Sequence, residues 1–124
     1  DRNNVRFKFN SYFPIRSLNL MRGVLVAEED NFKSYYIDNI FDAIWQDGLN
    51  MNDDNIILKV LKNLNINPKT FALRATSSSI KDSLKKRTTE AYEKGIFGAP
   101  TFVSNNKLFW GQDRIEFVLK EASK

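Results

Sequence analysis

From Ser17 to Lys94 the chain reads as helix after helix, and the pattern changes on both sides of that run. Ser17 stands as the N-cap of a first helix to about Asp30, with Leu18, Met21, Val24 and Leu25 at helical spacing. Asp30 or Asn31 caps a second, in which Phe32, Tyr35, Tyr36, Phe41, Ile44 and Trp45 form a broad aromatic stripe closed by Gly48. A third opens near Asn52 or Asp53 and carries Ile56, Ile57, Val60, Leu61 and Leu64, with its acids in the first turn where the helix dipole favours them. Asn67-Pro68 reads as an N-cap followed by a proline at the first helical position, opening a short helix with Phe71 and Ala75 inside. Ser79-Ile-Lys-Asp82 has the spacing of a capping box and starts a long helix to Lys94, with Gly95 as its C-terminal cap.

Outside that run the period falls to two. Val5-Arg6-Phe7-Lys8-Phe9 alternates apolar and charged residues, which predicts a short strand over 5–9 with Val5, Phe7 and Phe9 on one face. After Pro100, TFVS and KLFW flank Asn105-Asn106, the grammar of a tight hairpin. Asp113-Arg-Ile-Glu116 then caps a closing helix with Phe117, Val118 and Ala122. A two-stranded hairpin with one helix is only marginal alone, so its sheet has to be completed by VRFKF or by sequence before Asp1.

Composition narrows the chemistry. Among 124 residues there is no cysteine and no histidine. That excludes a disulfide framework, a Cys/His zinc site, a Cys/His or Ser/His/Asp nucleophilic pair and an axial heme histidine; no metal site is expected. Five glycines, at 23, 48, 95, 98 and 111, cannot spell a GxGxxG or GxxxxGKS/T phosphate loop. A hydrophobic fraction of 42% with 13% aromatics supports a packed core. The longest apolar run is the five residues Gly23 to Ala27, far short of the roughly 20 that cross a bilayer. A soluble protein with no membrane partner is expected. The start, Asp1-Arg-Asn-Asn, lacks methionine and a targeting pattern, so the chain reads as a fragment or processed chain. Absence of cysteine fits a reducing cytosol, and a cytoplasmic location is expected.

The formal charge of +4 is divided unevenly, −1 over residues 1 to 62 and +5 over 63 to 124. The one dense basic cluster is Lys81, Lys85, Lys86 and Arg87, with no stacking aromatics interleaved. It reads as a solvated helix face, and no nucleic-acid partner is expected.

Lys94-Gly-Ile-Phe-Gly-Ala-Pro-Thr-Phe-Val103 and Leu108-Phe-Trp-Gly-Gln-Asp-Arg114 form the specific signal. With VRFKFNSYFPIRSLNLMR and SIKDSLKKRTTEAYEKG, they resemble the 2-hydroxychromene-2-carboxylate isomerase family, bacterial relatives of kappa-class glutathione transferases. The resemblance covers the whole chain and implies an α/β architecture, a thioredoxin-like fold with an inserted all-helical domain. This chain then holds a thioredoxin-like segment over 1–16, the helical domain over 17–94, and the thioredoxin-like hairpin and helix over 95–124.

By that resemblance the chain serves a glutathione-dependent isomerase. The glutathione thiolate is a transient nucleophile toward a 2-hydroxychromene-2-carboxylate-like aromatic compound, and the cofactor is not consumed. Ala99-Pro100 is then a cis pair facing the site, the Ala99 backbone holding the cysteinyl part of glutathione as a strand would. The alternative at these residues is a proline that simply starts a strand. Gly111, Gln112 and Asp113 lie at the start of the last helix, where free N–H groups suit the γ-glutamyl carboxylate. Asp113 is either the acceptor for the ligand's ammonium or an N-cap paired with Glu116. Trp110 adjoins the site or belongs to the core, and Tyr12 faces the aromatic substrate or covers a core edge. The serine that activates the sulfur in this family stands before the point where this chain starts, so no catalytic residue is assigned and the chain alone is expected to be inactive. A homodimer is implied by the resemblance only.

Two other readings compete. One is a disulfide oxidoreductase of the same fold, which needs a Cys-x-x-Cys before Asp1. The other is a non-catalytic module whose basic second half binds an acidic partner with steep salt dependence.

Overall fold

The structure, a computed structural model, describes residues 4–124. Asp1 to Asn3, the start of the segment assigned to 1–16, lie outside the described residues. The elements are α1 (Leu18–Glu29), α2 (Lys33–Trp45), α3 (Asp54–Asn63), α4 (Pro68–Ala75), α5 (Ser78–Glu93), β1 (Thr101–Ser104), β2 (Lys107–Trp110) and α6 (Ile115–Ala122), with a 3-10 turn at Gln112–Arg114. The chain forms two compact units, one to Leu84 and one over Lys85–Lys124.

In the first unit the core is built from Leu20, Leu25, Val26 and Ala27 of α1, Tyr36, Ile40 and Ala43 of α2, Met51, Leu61 of α3, Phe71 and Ala75 of α4, and Ile80 of α5. Each fully buried aliphatic or aromatic side chain contributes about 1.5–3 kcal/mol of transfer free energy. Gly23 sits where helices meet: a Cβ there would lie 2.8 Å from Tyr36 Cζ and 2.9 Å from Phe71 Cζ. The Tyr36 hydroxyl donates to the Leu20 carbonyl at 3.0 Å, and burial pushes its pKa far above the usual phenol range.

The faces differ from the expected ones. Leu18 and Met21 of α1, and Tyr35 and Phe41 of α2, are exposed. Both helices carry apolar residues around much of their circumference, and the close approach at Gly23 decides which stripe turns inward. The α4 cap forms as expected, Asn67 accepting from the Thr70 amide at 3.2 Å, and α3 opens near Asp53, which accepts from the Asn55 amide at 2.9 Å. Ser17 makes no side-chain cap, and α2 starts after Phe32 rather than at an Asp30 or Asn31 cap. The α5 cap is Ser77, whose Oγ accepts from the Ile80 amide at 3.3 Å, not Ser79, which lies inside the helix.

Residues 5–9 do not form a strand; the described sheet has two strands, β1 and β2. Alternation supplies a face but no ladder partner, and a strand exists only through its ladder. Instead the Lys8 amide donates to the Trp45 carbonyl at 2.6 Å. Phe7 stacks on Trp45 with centroids 5.4 Å apart, and Phe9 and Phe13 pack on the same indole at 6.4 and 6.1 Å. Asn10, fully buried, pins this segment: its Nδ2 donates to the carbonyls of Ile44 (2.9 Å) and Leu49 (2.8 Å), and its Oδ1 accepts from the Tyr12 amide (2.7 Å).

In the second unit α5 ends in a Schellman turn. Gly95, at φ 85°, and Ile96 donate to the carbonyls of Tyr92 (2.9 Å) and Ala91 (3.0 Å). The hairpin turn is Asn105-Asn106, with φ of 51° and 63° as a type I′ turn requires. Its register pairs Thr101 with Trp110, Phe102 with Phe109, Val103 with Leu108 and Ser104 with Lys107. Asn105 Nδ2 donates to the Glu121 carbonyl at 2.8 Å, fastening the turn to α6. No helix among the described residues is long and apolar enough to cross a membrane.

Candidate functional site

The two-residue turn and four-residue strands bring Thr101 opposite Trp110, so the residues just outside the ladder also meet. The Gly111 amide donates to the Pro100 carbonyl at 2.9 Å. Ala99 and Pro100, expected to act with Gly111, Gln112 and Asp113, are thus neighbours at the open end of the hairpin. The Ala99–Pro100 peptide is cis, as the resemblance implies. Both residues are exposed, and among the described residues the Ala99 N–H and C=O have no hydrogen-bond partner. An extended peptide can pair with such a backbone edge.

Gly111 has φ of 100°, and a Cβ on it would lie 2.5 Å from Asp113 Oδ1. The carboxylate therefore folds back over a residue that has no side chain to obstruct it. Asp113 lies within the 3-10 turn, and the N-cap position of α6 belongs to Arg114, with no side-chain cap bond. The Asp113 to Glu116 capping box does not form, because the 3-10 turn displaces the helix start by one residue. This leaves the Asp113 carboxylate exposed, 3.8 Å from Arg114 Nε. The amides of Gln112 and Asp113 take no hydrogen bond among the described residues.

Trp110 is 54% exposed and lies beside this edge, its ring 5.3 Å from that of Phe97. Gly98 makes room for the indole: a Cβ there would overlap the ring nitrogen and lie 3.1 Å from Cε2. Phe97 and Gly98 were not among the expected site residues. The F-G pair before Ala-Pro carried that signal, since a glycine beside a cis-proline edge marks a close approach. Thr101 Oγ1 donates to the Gly98 carbonyl and closes the loop.

Tyr12 stands in the first unit, half exposed, in the turn before Pro14. Its carbonyl accepts from Asn52 Nδ2 at 3.3 Å, and Asn52 also reaches the Pro14 carbonyl at 3.3 Å. The Phe13–Pro14 peptide is also cis, which the sequence reading did not anticipate. Among the described residues there is no group of three or more Asp and Glu side chains that would hold a metal ion.

Comparison with known proteins places these features in context. A family described as "DSBA-like thioredoxin domain" matches residues 1–122. Curated relatives named 2-hydroxychromene-2-carboxylate isomerase come from Sphingobium xenophagum, 25% identical over 94 residues, and Pseudomonas sp. (strain C18), 28% identical over 87 residues. These alignments cover 76% and 70% of this chain but 48% and 41% of the relatives, so the chain spans about half their length. A solved structure of a 2-hydroxychromene-2-carboxylate isomerase superposes with TM-score 0.79 at 22% identity, over 96% of this chain and 57% of that one. The fold is thereby shared.

Proposed function

Because the chain belongs to the family of DSBA-like thioredoxin domains, we propose that it supplies the helical insertion and hairpin half of an isomerase acting on 2-hydroxychromene-2-carboxylate or a related aromatic compound, with glutathione as its cofactor. The observation that supports this reading most is the open Ala99 backbone edge beside Gly111-Gln112-Asp113, in a chain whose curated relatives carry that isomerase name.

The donor set fits glutathione. Ala99 presents one amide and one carbonyl to the cysteinyl part, a pairing that is indifferent to the side chain at 99. The amides of Gln112 and Asp113 face a carboxylate, the group that unpaired N–H donors at a helix start favour. The Asp113 carboxylate accepts from an ammonium, and the Trp110 and Phe97 rings flank the edge. When bound, glutathione supplies a thiolate that adds to the substrate and leaves again, permitting rotation about a bond. Tyr12 orients the aromatic substrate, and the working protein is a homodimer.

The test uses protein expressed from its full reading frame. Saturable glutathione binding by calorimetry and a glutathione-dependent spectrophotometric isomerisation of 2-hydroxychromene-2-carboxylate are expected. Turnover without glutathione binding removes the cofactor, and binding without turnover removes the isomerase.

The family description favours a second reading, a disulfide oxidoreductase. It requires a pair of thiols, and these 124 residues contain none. Thiol-disulfide exchange by the same preparation, with no isomerase activity, selects it.

A further inference from the structure

The hairpin unit exposes two aromatic rings beside the Ala99 edge, and holding glutathione gives them no partner. Phe97 is 80% exposed, the highest value among the exposed large hydrophobic side chains of the described residues, and Trp110 is 54% exposed. Their ring centroids are 5.3 Å apart and the planes are tilted by 40°. A lone exposed ring is ordinary surface, whereas adjoining ones are the usual sign of a place where something apolar binds. The backbone at Phe97 is held on both sides. Before it, the Ile96 amide donates to the Ala91 carbonyl at 3.0 Å. After it, Thr101 Oγ1 donates to the Gly98 carbonyl, and Gly98 lets the Trp110 indole lie against the chain. The ring is thus exposed on a loop of fixed shape.

This inference rests on the reading that the Ala99 backbone holds the cysteinyl part of glutathione, which sets the sulfur beside that edge. Phe97 stands two residues from Ala99 in one direction, and Trp110 pairs with Thr101, two residues away in the other. Two residues of chain span at most about 7 Å. Both rings therefore border the place where the sulfur–carbon bond forms and breaks again, the electron pair moving into the substrate and returning to sulfur. Glutathione has no apolar group to lay against them, since its body is amide and its ends are charged. What does reach them is the body of the molecule bonded to the sulfur.

We propose that Phe97, backed by Trp110, holds the aromatic ring of the substrate and so favours aromatic over aliphatic electrophiles at the sulfur. Aromatic pairs in offset or tilted contact gain more than their buried area alone, so a flat ring is preferred there to an alkyl chain of similar size. Phe97 carries no titratable group, so its part is to place the reacting carbon at the sulfur rather than to move a proton.

The probes are two thioethers that carry their substituent on the sulfur itself, S-methylglutathione and S-(naphthylmethyl)glutathione, titrated by calorimetry into protein expressed from its full reading frame. The quantity read is the ratio of their two dissociation constants within each variant. In the wild type the naphthylmethyl compound is expected to bind about tenfold more tightly, the scale of one aromatic contact with the area it buries. Phe97→Ala is expected to abolish that preference, Phe97→Tyr to keep it, and Phe97→Leu, apolar but without a ring, to fall between them. Amide-resolved NMR of the two wild-type complexes is expected to differ most at the Trp110 indole N–H and at the Phe97 and Gly98 amides. Equal wild-type affinity for the two thioethers, a preference that survives in both Phe97→Ala and Phe97→Leu, or spectral differences centred elsewhere would overturn the proposal and leave the glutathione reading standing. A Phe97→Ala melting temperature well below wild type with the preference kept assigns the ring to packing and has the same consequence. Binding of neither thioether removes the glutathione reading and this inference together.

Discussion

At the scale of single residues, the site depends on side chains that are absent as much as on those present. Gly98 admits the Trp110 indole, and Gly111 admits the Asp113 carboxylate. Gly98→Ala is expected to push the half-exposed indole outward. In a Trp45→Phe background this appears as a red-shifted Trp110 emission, together with weaker glutathione binding. Asp113→Asn keeps the shape and removes the charge that would meet the ligand's ammonium. Its expected effect is a rise in the glutathione dissociation constant of about tenfold, the lower end for a charge-assisted hydrogen bond, with the melting temperature unchanged. Asn10 is the counterpart in the helical unit. Asn10→Ala leaves the Ile44 and Leu49 carbonyls and the Tyr12 amide without their partner, and the expected loss in urea unfolding is about 3 kcal/mol.

At the scale of elements, the turn between β1 and β2 fixes the geometry of the edge. Two consecutive residues at positive φ set a two-residue loop, the loop sets the register, and the register sets Pro100 beside Gly111. Asn106→Gly is expected to be neutral or slightly stabilising, because glycine adopts this conformation without a Cβ penalty. Asn106→Val places a β-branched residue in the left-handed region and is expected to cost about 1–2 kcal/mol. The check is thermal unfolding of both variants; equal midpoints would show that the turn does not hold the hairpin. The capping errors teach a related lesson. Ser77 and Ser79 are equivalent in composition, and the long helix uses the one whose hydroxyl meets Ile80.

At the scale of the whole molecule, the two units are held by different means. The helical unit has a continuous apolar core, whereas the one buried residue of the Lys85–Lys124 unit is Glu121, 8% exposed. Its carboxylate is held between Lys124 (3.0 Å) and Lys107 (3.1 Å), and these two hydrogen-bonded ammonium groups keep its pKa below the ordinary 4.5. A carboxyl with a lowered folded pKa contributes stability that is present above its unfolded pKa and lost as pH falls through the folded one. The hairpin unit is therefore expected to weaken as pH drops below about 4.5. Glu121→Gln is expected to be less stable at neutral pH and to lose that pH dependence, read as Trp110 emission against pH. A profile identical to wild type would remove Glu121 from the account.

Local interactions were open to reading from the chain alone. The Asn67-Pro68 start, the opening of α3 near Asp53, the Gly95 stop and the Asn105-Asn106 hairpin each depend on a few adjacent residues, and each is found as expected. The Ala99-Pro100 and Gly111 to Asp113 motifs could be singled out through their resemblance to a known family, and the hairpin register brings them together. What tertiary structure alone decided is everything that needs a distant partner. Residues 5–9 alternate like a strand but have no ladder, so they pack on Trp45 instead. Leu18 and Met21 match the helical period as well as Leu20 and Ala27 do, and the contact at Gly23 selects the latter.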